Sequence, residues 1–391
     1  MNFAVFFTVA LSLYAAVNAY IFVRGWRALV PAVVSRPSFT AAFLFLSLSY
    51  VAGRFLEKVA LGMVSDFLVW TGSLWLALMF YLFLAVVAID LARLANRLFP
   101  FFPRAITADP ARAAAVTAVG VCVAGTLIVL GGFINTLLPR TTELVVPIDR
   151  PSWKGRTMTA LLVSDVHLGT VIGRMRLSAL VERINACAPD LVLLAGDILD
   201  EDVGTVMRKD LGEILKNVRA RHGIYGITGN HEFIGGVERT ARFLQDSGIV
   251  MLRDWAVKID GALYLVGRED RSVTRFGGPE RAPLDRLLAG LDRSLPVIVM
   301  DHQPYDLKHA AARGADLHLS GHTHAGQVWP ASCIVRAMYE VPSGAKRIGA
   351  TLFYVSTGYG SWGPPVRIGN RPEIVVVRLT GPGAGQKPVC P

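Results

Sequence analysis

Ser320-Gly321-His322-Thr323-His324 is the stretch on which the fold prediction depends, and Ala325-Gly326-Gln327 follows it. The apolar alternation before it, residues 315–319, is typical of a short strand, and the glycines indicate a tight loop where that strand ends. A His-x-His pair at a strand end directs two imidazoles into a common space. Two solvated loop histidines would give the same pattern, so a metal site is indicated only if other parts of the chain supply partners.

The composition indicates that part of the chain lies in a membrane. Of 391 residues, 52% are hydrophobic and only 18% are charged, and the mean hydropathy is +0.44. The net charge is +10, of which residues 1–140 carry +6, so much of the basicity flanks apolar segments and no nucleic-acid partner is expected. The cysteines lack CxxC spacing and predict neither a disulfide framework nor a zinc ribbon; they are Cys122, Cys187, Cys333 and Cys390.

Four apolar segments of spanning length predict a transmembrane domain over residues 1–135. The first has neither a basic N-terminal region nor a small-residue cleavage site, so we expect an uncleaved helix rather than a signal peptide. The predicted helices are 3–23, 38–59, 67–89 and 113–134.

The basic residues between these segments predict the orientation of the helices. The links between helices one and two and between helices three and four carry most of them: Arg24, Arg27, Arg36, Arg93, Arg97, Arg104 and Arg112. The positive-inside tendency therefore places these links in the cytoplasm, and everything after helix four outside it. Four basic residues between Arg140 and Arg156 favour the opposite orientation.

Residues 157–380 alternate short β-rich runs with helical patterns, which predicts an α/β domain. We expect a linker over 136–156 and a tail over 381–391. The predicted strands are 159–164, 191–195, 224–228, 256–259, 263–266, 296–300, 315–320, 351–356 and 374–379. The predicted helices are 177–187, 203–218 and 237–247.

Polar side chains of the same kind follow five of these strands. Because strand ends from separate parts of a chain meet at one sheet edge, we expect them to form one site. Each motif alone is weak, since Asp-x-His also caps turns and Gly-Asp also begins helices. The residues are Asp165 and His167, Asp197, Asn230 with His231 and Glu232, His302, and His322 with His324. The other histidines, His222, His309 and His318, are expected to be ordinary surface or core residues.

The side chains in these motifs indicate the type of metal. Carboxylate, imidazole and amide oxygen, without thiolate, suit divalent ions such as Mn, Fe, Zn or Mg. Seven candidate ligands are too many for one ion and suit two ions that share a bridge. Such a pair can hold a hydroxide and a phosphate for in-line displacement.

The order of the motifs resembles the calcineurin-like metallophosphoesterase superfamily, over residues 157 to about 380. The resemblance implies a two-sheet β-sandwich flanked by helices. It also implies that one metal is held by Asp165, His167, Asp197 and His324, and the second by Asp197, Asn230, His302 and His322, with Asp197 bridging. His231 would not be a ligand; it would contact the phosphate and protonate the leaving oxygen, which an imidazole beside two cations can do.

The C-terminal motif Gly358-Tyr359-Gly360-Ser361-Trp362-Gly363, continuing to Glu373, resembles the membrane-associated bacterial branch that includes the YkuE and YaeI phosphoesterases. Glu232 is expected to orient a neighbouring ligand. The branch often has Gly-x-Asp-Asp where this chain has Gly267-Arg268-Glu269-Asp270, so the role of Asp270 stays open. Tyr359, Trp362 and Arg367 are candidates for the substrate mouth, with Arg367 as a phosphate partner, and core packing with a surface ion pair is an equal alternative.

These observations predict a membrane-anchored phosphoesterase that cleaves a phosphomonoester or phosphodiester by attack of a hydroxide held between two ions. Its membrane helices suggest a phospholipid or cell-envelope substrate. The resemblance implies the bacterial cytoplasmic membrane, and the charge bias places the catalytic domain outside the cytoplasm. One alternative is a UDP-2,3-diacylglucosamine pyrophosphate hydrolase of lipid A synthesis, which would need a cytoplasmic site. Another is a non-catalytic membrane sensor or scaffold. The oligomeric state is not indicated.

Overall fold

The computed structural model describes residues 3–30 and 33–385, and these form two compact units, Met1–Phe133 and Ile134–Pro391. The last six residues of the expected tail, including Cys390, lie outside the described residues.

The N-terminal unit consists of long apolar helices, which confirms the expected four-helix arrangement. The long helices are α1 (Phe3–Leu29), α2 (Arg36–Val59), α3 (Met63–Leu98) and α5 (Pro110–Thr136), and the short α4 (Arg104–Thr107) lies between the last two. Each long helix has the length and composition to cross a bilayer. Small residues let α2 and α3 pack closely, since a Cβ at Gly72 would lie 2.2 Å from the backbone nitrogen of Tyr50.

The second unit is an α/β domain with two six-stranded sheets, as expected. The first sheet has the strand order β1-β12-β2-β3-β4-β5 and the second β10-β11-β9-β8-β7-β6. The strands are β1 (Arg140–Pro147), β2 (Thr157–Val163), β3 (Leu191–Ala195), β4 (Ile224–Ile227), β5 (Val250–Met251), β6 (Trp255–Ile259), β7 (Leu263–Gly267), β8 (Val297–Met300), β9 (Leu317–Ser320), β10 (Gly344–Ile348), β11 (Thr351–Val355) and β12 (Glu373–Thr380).

Helices cover the outer faces of the sheets, which explains why the central strands are apolar on both faces. One core lies between the sheets and includes Leu193 of β3 and Ile298 of β8; others lie beneath the helices on either side. The helices are α6 (Arg174–Ala186), α7 (Val203–Arg208), α8 (Leu211–Leu215), α9 (Asn230–Ile234), α10 (Val237–Asp246), α11 (Leu284–Leu288), α12 (Leu307–Ala311) and α13 (Ala331–Met338).

Two local expectations differ from the structure. Residues 136–156 are not a plain linker, because β1 lies within them and pairs in parallel with β12. The helix expected over 203–218 is divided into α7 and α8, since Asp210 has a left-handed backbone with φ of 50°.

The topology brings several strand ends to one place. Strands β2, β3 and β4 are parallel neighbours in the first sheet, as are β8 and β9 in the second. The carboxyl ends of parallel strands lie at the same edge of a sheet, so the five predicted motifs leave the two sheets at adjoining edges.

Candidate metal centre

The structure brings together three of the predicted ligands in a first group, Asp165, His167 and His324. The Nε2 atoms of the two histidines lie 3.1 Å apart, and Oδ1 of Asp165 is 3.5 Å from Nε2 of His324. All three side chains are buried. Two imidazole nitrogens and a carboxylate that converge at these distances fit a single divalent ion.

A second group contains Asp197, His302 and His322. Nε2 of His302 lies 3.1 Å from Oδ2 of Asp197. The other ring nitrogen of His302, Nδ1, is 2.8 Å from the carbonyl oxygen of Ala195, which suits an Nδ1–H donor and leaves Nε2 free to coordinate. Among the described residues, the buried Oδ1 of Asn230 has no hydrogen-bond partner. Such an oxygen also fits a metal ligand.

Asp197 lies between the two groups. Its Oδ2 is 3.1 Å from Nε2 of His302 and 3.9 Å from Nε2 of His167, which belongs to the first group. Its Oδ1 instead accepts a hydrogen bond of 2.9 Å from the backbone N–H of His231. The carboxylate is therefore held with one oxygen directed at both groups, as a bridging ligand requires.

The electrostatic environment favours neutral imidazoles in the loop His322-Thr323-His324. Burial and the neighbouring His302 lower the pKa of His322 to about 3. Burial and the Arg367 guanidinium hold the pKa of His324 well below its usual range. Both rings are thus unprotonated at neutral pH, which metal coordination requires.

Five of the seven predicted ligands have a left-handed backbone, with φ between 47° and 73°: Asp165, His167, Asp197, His322 and His324. Residues other than glycine rarely adopt this conformation, and it persists only where the surrounding structure enforces it. Its concentration at one edge of the sheets is an observation independent of the motif pattern, and it falls on the same residues.

The glycines of the motifs provide space for ligands of neighbouring motifs. A Cβ at Gly229 would lie 2.2 Å from Oδ1 of Asp197, and one at Gly321 would lie 2.3 Å from Oδ2 of Asp165. The loops therefore pack directly on each other's carboxylates, and any side chain at these glycines would displace a candidate ligand.

Glu232 connects the loops after β3 and β4. Its buried carboxylate accepts four backbone N–H bonds of 2.7–3.0 Å, from Gly229, Asp197, Ile198 and Leu199. Burial and the nearby Asp197 raise the pKa of Glu232. The residue thus fixes the backbone on which Asp197 stands, which fits the orienting role expected of it.

His231 lies beside the first group with its ring centroid 4.6 Å from that of His167. Its Nδ1 is in close contact with the carbonyl oxygen of Asp200 and 3.7 Å from Oδ1 of the same residue. Asp200 also lies 3.5 Å from Nδ1 of His167 and completes a third group with the two histidines. Asp200 is absent from the sequence prediction, although the spacing Gly196-Asp197-x-x-Asp200 places it in the same loop.

Asp270 lies next to the centre without joining either group. Its carboxylate accepts hydrogen bonds of 2.9 and 3.0 Å from Nε2 of Gln303, the residue after His302. It also caps the short 3₁₀ helix Arg271–Phe276 through the backbone N–H of Ser272. Burial raises the pKa of Asp270.

Arg367 does not lie where a phosphate partner would. The sequence makes it a candidate for the substrate mouth, but the side chain is completely buried and its Nη2 lies 3.0 Å from Nδ1 of His324. Tyr359 is also buried, with its hydroxyl donating to the carbonyl of Arg176. Trp362 is 55% exposed, with its ring centroid 6.1 Å from that of His231. Of these three candidates for the mouth, only Trp362 is exposed.

Comparison with known proteins gives the family. The model of the calcineurin-like phosphoesterase family matches residues 158–326. A transmembrane protein with metallophosphoesterase domain from Danio rerio is 30% identical over 332 residues, which are 80% of this chain and 76% of that protein. An uncharacterized metallophosphoesterase from Helicobacter pylori is 32% identical over 62% of this chain, which spans slightly less than two thirds of that protein, 64%. One from Aquifex aeolicus is 31% identical over 59% of this chain and 88% of that protein. The chain belongs to the calcineurin-like metallophosphoesterases, which are metal-dependent phosphoester hydrolases.

Proposed function

We propose that this protein is a membrane-anchored phosphoesterase that uses two divalent ions. The observation that carries the proposal is the position of Asp197, whose Oδ2 faces both His302 and His167. The first ion would be held by Asp165, His167, Asp197 and His324. The second would be held by Asp197, Asn230, His302 and His322. When bound, such ions lower the pKa of water and neutralise charge on a phosphoryl group.

The protein's own contribution to the reaction would come largely from His231. Its Nδ1 is fixed at the carbonyl of Asp200, so its Nε2 is the nitrogen available to a substrate. As an imidazolium, with Nδ1–H donating to this carbonyl, the ring also carries a proton on Nε2, which it can give to the leaving oxygen when the ester bond breaks. Glu232 would keep Asp197 in place while charge develops, because all four of its hydrogen bonds hold the loops that carry Asp197 and His231.

We propose an amphiphilic phosphoester as the substrate, such as a phospholipid or a cell-envelope lipid. Three large apolar side chains are 55–63% exposed: Trp329 and Ile334, which lie on the segment after His324, and Trp362, which lies on the loop between β11 and β12. Gln327 connects these segments, since its side chain bonds to the backbone of Trp362 and Pro364. Exposed aromatic and aliphatic groups beside a catalytic site suit the hydrocarbon part of a lipid.

The test is a substrate panel with the purified full-length protein in mixed micelles, under Mn, Fe, Zn and Mg in turn. We expect hydrolysis of a lipid phosphomonoester or phosphodiester, and its loss in Asp197→Asn. Hydrolysis of soluble nucleotides alone would contradict the lipid substrate, and no hydrolysis with any ion would contradict the enzyme. Ile334→Ser should lower kcat/KM for the lipid but not for p-nitrophenyl phosphate. Trp255→Ser, at an equally exposed tryptophan on edge strand β6, is the matched control.

We propose that the catalytic domain lies outside the cytoplasm of a bacterial cell. The support is the charge bias of the links between the candidate membrane helices. A phosphatase and a fluorescent protein fused in turn to the C-terminus would report the side. Phosphatase activity without fluorescence supports the proposal, whereas fluorescence without phosphatase activity would overturn it and favour a nucleotide-linked lipid as substrate.

A further inference from the structure

The loop between β11 and β12, residues 356–372, contains a buried cation. Arg367 is completely buried, and its pKa is lowered by that burial to about 10, so it stays charged at neutral pH. Burying a charge is costly unless fixed acceptors surround it. The guanidinium donates to four oxygens, the carbonyls of Thr357, Gly358 and Gly360 and Oδ1 of Asn370. Its Nη2 also lies 3.0 Å from Nδ1 of His324, so the guanidinium packs against this ring.

The same loop also holds Asp165. The backbone N–H groups of Tyr359 and Gly360 donate to the carbonyls of Ser164 and Asp165 at 2.9 and 2.8 Å. A Cβ at Gly358 would lie 2.8 Å from the Cβ of Asp165. Two members of the first ligand group, one on each side of the loop, therefore depend on its position.

The end of α5 is attached to this loop. The last residues of that helix, from Ile134 onward, belong to the catalytic unit. The amide nitrogen of Asn135 donates to the carbonyl oxygens of Arg367 and Asn370, at 2.9 and 2.7 Å. Both N–H bonds of this amide are thus used on the loop. Beside it, Arg176 donates to the carbonyls of Thr136 and Tyr359, which adds a second attachment.

We propose that Asn135 is a positioning residue, which holds the loop over residues 356–372 and through it the metal group of Asp165, His167 and His324. The route is short: Asn135 holds the backbone of Arg367 and Asn370, and the same loop bonds to the backbone of Ser164 and Asp165. The Arg367 guanidinium of this loop also packs against the ring of His324. A shift of the loop would therefore move two ligands of one ion. The inference rests on the proposed function only in treating these three residues as ligands.

The experiment measures Mn²⁺ binding to the full-length protein without substrate. We expect Asn135→Ala to lower the affinity for one ion, the one at Asp165, His167 and His324, by roughly two- to thirtyfold, as is typical for residues that act through another. Asn135→Asp should lower this affinity further. A carboxylate has the same size but can only accept hydrogen bonds, and it would face two carbonyl oxygens. The second ion, at Asp197, His302 and His322, should bind nearly as before.

The matched control is Asn185→Ala. Its amide nitrogen donates to the carbonyl of Asn217 at 2.8 Å, so the variant loses a similar side chain-to-backbone bond. The amide oxygen of Asn185 accepts from the backbone N–H of Arg219 at 2.8 Å, and neither Asn217 nor Arg219 lies in the loop over residues 356–372. We expect Asn185→Ala to leave both Mn²⁺ affinities unchanged. If Asn135→Ala and Asn185→Ala destabilise the protein alike and neither changes Mn²⁺ binding, the inference is wrong.

Absence of hydrolysis in a protein that binds metal would overturn the proposed function and leave this inference standing.

Discussion

Glu232→Gln should destabilise the catalytic unit although it changes a single buried atom. In the wild type, one carboxylate oxygen accepts from Asp197 and Gly229, and the other accepts from Ile198 and Leu199. The amide oxygen of glutamine can replace one of these oxygens. The amide nitrogen must then face the other pair, so two buried N–H groups lose their acceptor.

The magnitude follows from those two groups. A buried donor without a partner costs about 1–3 kcal/mol, which gives roughly 2–6 kcal/mol for the pair. Burial and Asp197 raise the pKa of Glu232, so removing its negative charge offsets part of this cost. We therefore expect a loss of about 3 kcal/mol. At about 2–4 °C per kcal/mol for a unit of this size, the melting temperature should fall by roughly 6–12 °C.

The assay is scanning calorimetry of the full-length protein in detergent, with a chelator present so that metal binding does not contribute. Glu238→Gln is the control, because Glu238 is exposed and pairs with Arg253 at the surface. That pair should contribute less than about 1 kcal/mol. If the melting temperature falls no further in Glu232→Gln than in Glu238→Gln, the carboxylate of Glu232 does not hold the two loops together.

Three further predictions concern the site and the core. His231→Gln should lower kcat by roughly 100- to 10,000-fold for an ester with an alkyl leaving group; a similar fall for p-nitrophenyl phosphate, whose leaving group needs no proton, would contradict its role as an acid. Asp197→Asn should weaken binding of both ions by about 100-fold or more, measured by Mn²⁺ titration; retention of either ion at wild-type affinity would argue against a bridge. Burial lowers the pKa of His318 to about 4. Below about pH 6.5 the unfolded chain therefore takes up a proton on this histidine, whereas the folded chain does not. Up to about 3 kcal/mol of the free energy of unfolding should be lost as the pH falls from 6.5 to 4. Denaturant unfolding at pH 7 and pH 5 should show a smaller loss for His318→Leu, and an equal loss would exclude His318 as the cause.

The sequence is informative wherever local pattern and chemistry coincide. The strand over 191–195 is continuously apolar between polar turns, and its observed bounds agree with the prediction. The first group, with His324, and the second, with His322, each combine residues from separate strand ends, as expected from parallel strands that share an edge. His222, in contrast, lies outside these groups, in line with its expected ordinary role.

What the sequence does not reveal depends on contacts between distant residues. Strand β1 follows a candidate membrane helix and is largely exposed, and its partner β12 lies more than 200 residues later in the chain. Asp200 follows no strand directly, so strand ends alone do not predict it. The pattern around Arg367 is that of a polar loop, and nothing local shows that its guanidinium will be enclosed by carbonyls.

The glycines explain why the motifs have to occur together. Each stands beside a ligand from another motif: Gly229 beside Asp197, Gly321 beside Asp165, and Gly196 beside His302, whose Nδ1 would lie 2.6 Å from an added Cβ. Because the loops pack on one another, the three that follow β2, β3 and β9 can hold their ligands in a left-handed backbone that would be unfavourable in isolation. The His322-Thr323-His324 loop is the clearest case, since its two histidines contribute to different groups while the N–H of His322 donates to Asp165. The spacing of the two ligand groups is therefore a property of the packed loops as a set, and no single motif determines it.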